Sequence, residues 1–367
     1  MSINQNKFQR SSYFMSLALA QAQRNLGNTR DNPSVGCVIA KKNHLIAAGF
    51  TSKNGRPHAE INAIKFSKKR LSNSELYVTL EPCSHYGKTP PCVNSIIRNN
   101  IKRVFFSIKD PDLRSFNKSA SLLRKNGISV IKGVYKKRIF FFYKSYLKFK
   151  KNNLPFVTCK LAISKDYYSI NIKDKWITNK YSRGRVHLLR SYHDCIITSS
   201  KTVNEDNPRL TCRINGLYHN SPARIIFDRK LNIRINSKIV KEANNFRTII
   251  FYHKIKRRKI KLLRKFRIQT YKISLDSDGN LDLIESLNKV RKLGFSRIFL
   301  ESGIKLTTSF LRNGLVDELK IFISNKKLAK NGRGNIKNFL KKFLINKEKI
   351  IEKVNLFNDT LITYKLK

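Results

Sequence analysis

The sequence predicts an α/β protein made of two domains. Three observations indicate this: the chain has 367 residues, helical and strand patterns alternate along both halves, and the pattern breaks at Asn152 to Pro155. A chain of this length exceeds a typical single domain. Alternating helices and strands favour sheets that are covered by helices. We therefore predict domains over residues 1–151 and 152–367.

In the first half, the alternation is typical of a sandwich around a mixed sheet. Helices are predicted at residues 13–22, 58–70, 91–99, 119–125 and 135–151. Strands are predicted at residues 35–40, 45–49, 76–80, 103–108 and 128–131, the first two as a hairpin. The last helix is basic and aromatic, but its polar residues do not form one face. We therefore expect it to pack at the domain junction rather than lie on a membrane.

The second half restarts with a buried strand in PFVTCKLAIS and is again predicted to be α/β. Helices are predicted at residues 180–191, 281–293 and 305–313. Strands are predicted at residues 195–199, 223–228, 247–252, 297–301 and 317–323. The segment 253–268 is rich in lysine and arginine and is predicted to be a surface stretch.

Charge is the most unusual feature of the composition. The chain has 76 Lys and Arg against 23 Asp and Glu, a formal net charge of +53. Such a balance can indicate nucleic-acid binding. The basic residues are spread over every segment, so compositional drift explains the charge better than a specific nucleic-acid partner does. The positive field would still attract anionic small molecules such as phosphorylated substrates.

The sequence favours a cytoplasmic protein without a membrane span. No apolar run approaches the roughly 20 residues of a spanning helix, and residues 1–14 lack the features of a signal peptide. Cysteines inside apolar runs then predict buried free thiols rather than disulfides. Four of the six cysteines fit that description: Cys37, Cys159, Cys195 and Cys212.

The other two cysteines belong to a pattern that is typical of zinc enzymes. PHAEINAI places His58 and Glu60 at a predicted helix start, and EPCSHYGKTPPC supplies Cys83 and Cys92. One histidine and two cysteines leave the fourth tetrahedral position of Zn²⁺ open, as catalytic sites do. Glu60 suits proton transfer between water and a leaving amine. The same motif occurs in hydrolytic deaminases of nucleobase-like rings.

Alternatives to this interpretation are a structural zinc site and a chance grouping of cysteines. A nucleic-acid deaminase is a further alternative, but those enzymes place two residues between the cysteines. Here eight residues separate Cys83 from Cys92. Cys92 also follows two prolines at a predicted helix start, where the helix dipole is expected to favour its thiolate.

The segments TLEPCSHYGKTPPC and DNPSVGCVI closely resemble the deaminase half of the RibD family of bifunctional riboflavin-biosynthesis enzymes. The resemblance implies a cytidine-deaminase-like three-layer sandwich with a mixed sheet. It also implies zinc-dependent removal of the 2-amino group from a diaminopyrimidinone ribosyl phosphate. Contacts to the pyrimidine or its ribose phosphate are implied at Asn32, His58, Lys88 and Thr89, with His85 a further candidate.

Five pieces of the second half are similar to the same family, in order: KLAIS, KWIT, the LLR-containing helix, TSSKTVNEDNPRLTCR and ESG with GLVDEL. The resemblance implies a dihydrofolate-reductase-like domain that uses NADPH to reduce the ribosyl group to ribityl. Implied substrate contacts are Asp174, Arg190, Leu210, Arg213 and Glu301, with the two arginines clamping the phosphate and Glu301 bonding sugar hydroxyls. NADPH contacts are implied at Ala162, Trp176, Thr202, Asp206, Gly303, Ile304, Lys305, Leu306, Thr307, Thr308 and Ser309.

From the residues alone, the reductase half is less specific. It has no G-x-G-x-x-G fingerprint. A strand, Gly303 and a helix follow one another, and such a junction offers N–H groups to a phosphate, although ordinary loops share it. Tyr167 stands where the family usually has glycine, and Asp174 where it has a small hydroxyl residue. A deaminase with an impaired reductase therefore stays open as an alternative, and the resemblance is compatible with a homo-oligomer.

Overall fold

A computed structural model describes residues 3–29, 32–67, 69–112, 114, 118–152, 154–174 and 176–367, without the side chains of residues 3–8 and 152. Asp31 and Lys175, the first residues of two motifs quoted above, lie outside the described residues. The chain divides into two compact units, Met1–Asn153 and Leu154–Lys367.

The first unit is built on a five-stranded mixed sheet in the order β2-β1-β3-β4-β5. Its strands are β1 (Gly36–Lys41), β2 (His44–Phe50), β3 (Glu75–Leu80), β4 (Arg103–Ile108) and β5 (Ser129–Lys132). Its helices are α1 (Ile3–Gln23), α2 (Ala59–Phe66), α3 (Cys92–Arg98), α4 (Lys118–Lys125) and α5 (Lys136–Asn152). β1 pairs antiparallel with β2 and β3, whereas β3, β4 and β5 run parallel. The predicted sandwich and hairpin are confirmed.

Helix α5 is held by the core of the first unit. Ile139 and Tyr143 are buried, although Phe140 is 52% exposed. The Tyr143 hydroxyl lies 2.6 Å from the Thr79 hydroxyl on β3. The basic stretch is therefore an ordinary packed helix. In the described part of the chain, every helix is too short or too polar to cross a bilayer.

The second unit contains a nine-stranded sheet within its described residues, in the order β11-β10-β9-β8-β12-β6-β13-β16-β15. The strands are β6 (Phe156–Ile163), β7 (Tyr168–Asn171), β8 (Cys195–Ser199), β9 (Ala223–Phe227), β10 (Thr248–Tyr252), β11 (Gln269–Lys272), β12 (Arg297–Leu300), β13 (Glu318–Ile323), β14 (Gly332–Asn335), β15 (Glu348–Ile351) and β16 (Thr360–Lys365). The helices are α6 (Lys180–Ser191), α7 (Ser200–Asp206), α8 (Lys238–Lys241), α9 (Arg257–Lys265), α10 (Leu283–Lys292), α11 (Ile304–Arg312) and α12 (Lys337–Phe343).

The first seven strands in this order, from β11 at the edge to β13, run parallel to one another. β16 pairs antiparallel with β13, and β15 pairs antiparallel with β16. β12 is inserted between β8 and β6, and the chain reverses its direction of travel across the sheet there. In open α/β sheets, ligands bind beyond the carboxyl ends of strands at such a reversal. Helices α7 and α11 start just there, after β8 and β12.

Several sequence predictions need correction. The helix predicted over 58–70 ends at Phe66, and the stretch 253–268 is not simply surface, because it contains α9 with Ile260 and Leu263 buried. The sequence interpretation missed the elements β7, β11, β14, β15, β16, α7, α8 and α12. Cys37, Cys159, Cys195 and Cys212 are buried free thiols, as expected.

Candidate functional site

Three elements of the first unit bring His58, Cys83 and Cys92 together. His58 is the N-cap of α2, Cys83 lies in the loop after β3, and Cys92 is the first residue of α3. The His58 Nδ1 atom is 3.3 Å from the Cys92 Sγ atom and 3.5 Å from the Cys83 Sγ atom. One potential ligand atom from each residue lies within 4.8 Å of the others. This group of one nitrogen and two sulfurs fits a tetrahedral zinc ion with one position open.

The position of α2 depends on Gly49 in β2. A Cβ atom built at Gly49 would lie 2.4 Å from the Ala63 nitrogen and 2.5 Å from the Ala59 oxygen. Only a glycine allows the helix backbone to approach the strand this closely. Because His58 and Glu60 lie at the start of this helix, the close approach places both of them.

The two thiols differ in their protonation when no metal is bound. Hydrogen bonding with Cys92 lowers the pKa of Cys83 to about 4. The same hydrogen bond, together with burial, raises the pKa of Cys92 well above its ordinary value. The expectation that the helix start favours the Cys92 thiolate concerns the metal-bound site and stays a prediction. A bound metal would deprotonate both thiols.

Glu60 lies beside these ligands in the first turn of α2 and is 3% exposed. Burial raises the pKa of Glu60 to about 7, although the His58 charge opposes the shift. A carboxyl group with a pKa near neutrality can both accept and return a proton. Its position next to the ligand group, rather than within it, suits that role.

The loop between the two cysteines folds back toward the segment before His58. The Arg56 guanidinium donates a hydrogen bond to the Thr89 hydroxyl. Lys88 is exposed in the same loop. Asn32 donates from its amide to the Gly55 oxygen at 3.2 Å. The structure thus joins the predicted contact Thr89 to Arg56, a residue that the sequence analysis missed, although it immediately precedes the PHAE motif.

In the second unit, Arg190 and Glu301 form an ion pair. The Arg190 Nε and Nη2 atoms each donate to a Glu301 oxygen at 2.9 Å, and Nη1 donates to the Thr211 oxygen at 3.0 Å. A role for Arg190 in clamping a phosphate stays a prediction, although each of its three nitrogens already has a protein acceptor. Arg213 is exposed. Of the two expected clamp residues, Arg213 alone presents its guanidinium at the surface.

The Glu301 carboxylate lies in a strongly cationic setting. Burial alone would raise its pKa, but Arg190 and Lys160 outweigh that effect and hold the pKa of Glu301 at about 2. The Lys160 Nζ atom is 3.9 Å from Glu301 Oε1. His187 lies nearby, and burial with the charges of Arg190 and Arg213 lowers its pKa to about 4. The site therefore holds an ionised carboxylate and a neutral imidazole at neutral pH. Lys160 and His187 were not predicted, because only the fold brings them here.

Leu210, an expected substrate contact, has a buried side chain. It is 3% exposed and packs in the core that includes Val203 and Leu231. Its backbone is left-handed, with φ of 55°. Only its backbone is therefore available to a ligand.

The predicted cofactor residues converge where α11 follows β12. The Thr202 hydroxyl accepts the Gly303 N–H at 3.3 Å, which joins the starts of α7 and α11. Gly303 is the N-cap of the nine-residue helix α11 and has no side chain to occupy the first-turn amides. Such amides with adjacent hydroxyls suit the diphosphate of a dinucleotide. The donor set therefore fits NADPH.

The rest of the segment Gly303 to Ser309 divides between the core and the surface. The Thr307 side chain is fully buried and its hydroxyl lies 3.2 Å from that of Ser302. Ile304 and Leu306 pack against the core, and Lys305 is exposed. Gly303 and Lys305 are therefore the exposed residues of this segment, and Thr308 and Ser309 are half-buried.

The other predicted contacts lie along the same unit. Trp176 is 46% exposed and stacks under the Arg183 guanidinium, whose carbon lies 4.7 Å from the ring centroid. Asp174 accepts the Trp176 N–H at 3.1 Å. Ala162 lies in β6 and is half-buried. Asp206 is the exposed last residue of α7.

Comparisons with known families match both halves of the chain. The model of the cytidine and deoxycytidylate deaminase zinc-binding region matches residues 8–108. The model of the RibD C-terminal domain matches residues 155–338.

Curated relatives and solved structures agree with these matches. The riboflavin biosynthesis protein RibD of Bacillus amyloliquefaciens is 33% identical over 314 residues, which cover 85% of this chain and 84% of that protein. RibD of Aquifex aeolicus is 31% identical over 357 residues and covers 96% and 97%. The structure of Acinetobacter baumannii RibD is similar with a TM-score of 0.84 at 26% identity, covering 98% of this chain and 99% of that one. The deaminase/reductase of Thermotoga maritima gives 0.83 at 28% identity with the same coverage.

Proposed function

The chain belongs to the RibD family of riboflavin-biosynthesis enzymes, which join a zinc-dependent deaminase to an NADPH-dependent reductase, and we propose how its residues divide this work. The first unit hydrolyses the 2-amino group of 2,5-diamino-6-ribosylamino-4(3H)-pyrimidinone 5′-phosphate. The second unit reduces the ribosyl group of the deaminated product to ribityl. The observation that supports the proposal best is the convergence of His58, Cys83 and Cys92 beside the buried Glu60.

In the deaminase unit, Glu60 moves the proton. Zinc held by His58, Cys83 and Cys92 supplies the Lewis acidity that makes water a nucleophile near neutral pH. Glu60 accepts a proton from that water as its oxygen bonds to the ring carbon. It then donates a proton to the amino nitrogen, so the carbon–nitrogen bond breaks and ammonia leaves. The pKa of about 7 suits both transfers.

The loop between the cysteines binds the rest of the substrate. Lys88 and Thr89 are exposed there and offer a charge and a hydroxyl to the ribose phosphate. Arg56 holds the loop through Thr89. Asn32, which is tied to Gly55, contacts the pyrimidine. This arrangement favours a small phosphorylated substrate over a nucleic acid.

In the reductase unit, Arg190 holds Glu301 rather than the phosphate. Both Glu301 oxygens accept from Arg190 and keep lone pairs for the ribose hydroxyls. Arg213, exposed beside this pair, binds the phosphate. Thr202 and the first turn of α11 would hold NADPH, which would supply the hydride. The side chains of this unit position the sugar beside the cofactor.

The alternative of an impaired reductase rests on Tyr167 and Asp174. Tyr167 has φ of 70°, a backbone conformation that explains why the family usually has glycine there, and the turn forms nevertheless. Asp174 is exposed and bonded to the Trp176 amide. Neither residue disturbs the pair of Arg190 and Glu301. We therefore favour an active reductase.

A coupled assay tests the proposal. Purified protein is given the diaminopyrimidinone ribosyl phosphate and NADPH, and ammonia release and NADPH absorbance are followed in one sample. Both signals should appear in the parent protein and both should vanish in Glu60→Gln, whose deamination should fall roughly 10²–10⁴-fold. Supplying the deaminated product to Glu60→Gln should restore NADPH oxidation. Ammonia without NADPH oxidation would support the impaired reductase, and neither signal would overturn the proposal.

A second test separates the small-molecule substrate from a nucleic acid. Any chain with a charge of +53 binds RNA at low salt. We expect that binding to disappear at physiological salt and RNA to leave deamination of the small molecule unchanged. A salt-resistant RNA complex that is deaminated would contradict this.

A further inference from the structure

We propose that Arg224 is a positioning residue of the reductase: it holds the segment 208–213 in the shape that presents Arg213 to the substrate phosphate. Arg224 lies on β9, and its side chain is fully buried. The inference rests on the proposed function of Arg213. It concerns a residue that does not itself touch substrate.

The Arg224 guanidinium connects three separate pieces of backbone. Its Nη1 atom donates to the Arg209 oxygen at 3.2 Å. Its Nη2 atom donates to the Ile239 oxygen at 3.0 Å and to the Phe246 oxygen at 3.3 Å. Both Nε and Nη2 also donate to the Thr248 hydroxyl, at 3.1 and 2.7 Å. Arg224 thus ties the segment 208–213 to the body of the unit.

Packing alone does not account for an arginine at this position. Burial is unfavourable for its charge and lowers the pKa of Arg224 to about 10. Its nearest carboxylate oxygen, on Glu242, is 3.9 Å away. Two neighbours on the same face of the sheet, Ile196 on β8 and Ile226 on β9, carry apolar side chains in the core. What the arginine adds is a set of donors that match backbone oxygens, including that of Arg209.

The segment is held from its other end by Arg190. The Arg190 Nη1 atom donates to the Thr211 oxygen at 3.0 Å, two residues after the oxygen that Arg224 binds. Leu210, between the two anchored carbonyls, has φ of 55°. A left-handed backbone is unfavourable for such a residue, and it persists where the surroundings over-determine it. The two arginines provide that constraint.

Loss of the Arg224 anchor should therefore weaken binding of the deaminated substrate and leave binding of NADPH unchanged. Without it, Leu210 can relax to a negative φ, and Arg213 moves with the chain. The cofactor groups Thr202 and Gly303 are bonded to each other, whereas Arg224 donates to a different set of residues. We expect the KM for the deaminated substrate to rise roughly ten- to a hundredfold, with the affinity for NADPH unchanged.

The test uses the full-length protein, the deaminated substrate and NADPH. The variants are Arg224→Gln, the conservative Arg224→Lys, Arg213→Ala and the double variant of Arg224→Gln with Arg213→Ala. We expect Arg224→Gln to raise the substrate KM, Arg224→Lys to recover part of it, and the double variant to match Arg213→Ala. NADPH affinity from a fluorescence titration and ammonia release by the first unit should both stay at the parent value.

The outcomes separate this inference from the proposed function. If Arg213→Ala raises the substrate KM but Arg224→Gln does not, the positioning role is overturned and the substrate role of Arg213 stands. If Arg213→Ala leaves the substrate KM unchanged, the substrate role of Arg213 and the positioning role of Arg224 both fail. Additive effects, or an equal loss of NADPH affinity, would show that Arg224 merely supports the fold and would overturn the positioning role.

Poor folding of Arg224→Gln does not prevent the test. Thr248→Val removes the hydroxyl that two Arg224 nitrogens share, and Thr248→Ser keeps it as a matched control. The proposal expects a raised substrate KM in the valine variant and a parent value in the serine variant. Equal values in the two variants would overturn it.

Discussion

Arg190 and Glu301 are joined through two parallel hydrogen bonds of 2.9 Å, although 111 positions separate them in the chain. Their side chains are 10% and 16% exposed. A guanidinium fork that matches both carboxylate oxygens fixes the plane of the carboxylate as well as its charge. The pair therefore determines how Glu301 is presented to the sugar.

Removing Arg190 should destabilise the second unit and abolish reduction. Arg190→Met leaves a buried carboxylate with only Lys160 nearby, and breaking such a pair is unfavourable by about 3–5 kcal/mol. Arg190→Lys keeps the charge without the fork, so its loss should be smaller. Urea denaturation followed by the fluorescence of Trp176, the only tryptophan in the sequence, measures the effect in this unit. An Arg190→Met protein as stable as the parent would contradict the prediction.

The same pair predicts a stability change in acid. The pKa of Glu301 is about 2 in the folded protein, against an ordinary value of 4.5. A depressed carboxyl pKa stabilises the fold above the ordinary value, and this stabilisation is lost as the pH falls toward the folded value. The contribution is roughly 3 kcal/mol.

Urea denaturation at a series of pH values checks this window. The free energy of unfolding of the second unit should fall from about pH 4.5 downward in the parent. In Glu301→Gln that fall should be smaller. Parallel curves for the two proteins would show that Glu301 does not titrate as described.

The zinc ligands predict a clean separation of the two activities. Cys83→Ser removes one of three ligands, so bound zinc and ammonia release should both fall to background. NADPH oxidation with the deaminated product should persist, because the reductase residues all lie in the second unit. Cys37→Ala is the matched control, since it removes a buried thiol outside the ligand group and should keep its zinc. Metal analysis with both assays decides the outcome.

The sequence predicts the deaminase chemistry better than the reductase chemistry for a physical reason. His58 and Glu60 are two residues apart, and both cysteines flank one loop, so local spacing carries the pattern. The contacts of Glu301 with Arg190 and Lys160 join three distant elements and leave no local signal. The resemblance implies both Arg190 and Glu301 as substrate contacts, but the ion pair between them becomes visible only in the fold.

The missed elements share a weak periodic signal. All four residues of β15 are exposed. Its sequence therefore lacks the alternation of apolar and polar residues that would predict a strand. In α9, Ile260 and Leu263 form a narrow apolar face that the surrounding lysines and arginines obscure. Hydrophobic periodicity finds elements with one buried face, and it fails where charge or exposure dominates.

Gly49 offers the sharpest test of how the fold places the zinc site. A Cβ at this position would lie 2.4 Å from the Ala63 nitrogen. Because this nitrogen belongs to the backbone, it cannot avoid the clash by a side-chain rotation. We expect Gly49→Ala to move α2, to destabilise the first unit by roughly 1–3 kcal/mol, and to lower zinc occupancy and ammonia release together. Metal analysis, the ammonia assay and denaturation of the first unit measure these effects.

Gly184 provides the control for the same substitution. It lies within α6, and a Cβ there would meet nothing within 4 Å. Gly184→Ala should therefore stabilise the second unit by roughly 0.5–1 kcal/mol, because alanine favours the helix. If Gly49→Ala instead kept its zinc and its stability, the close packing of α2 on β2 would not be what positions His58 and Glu60.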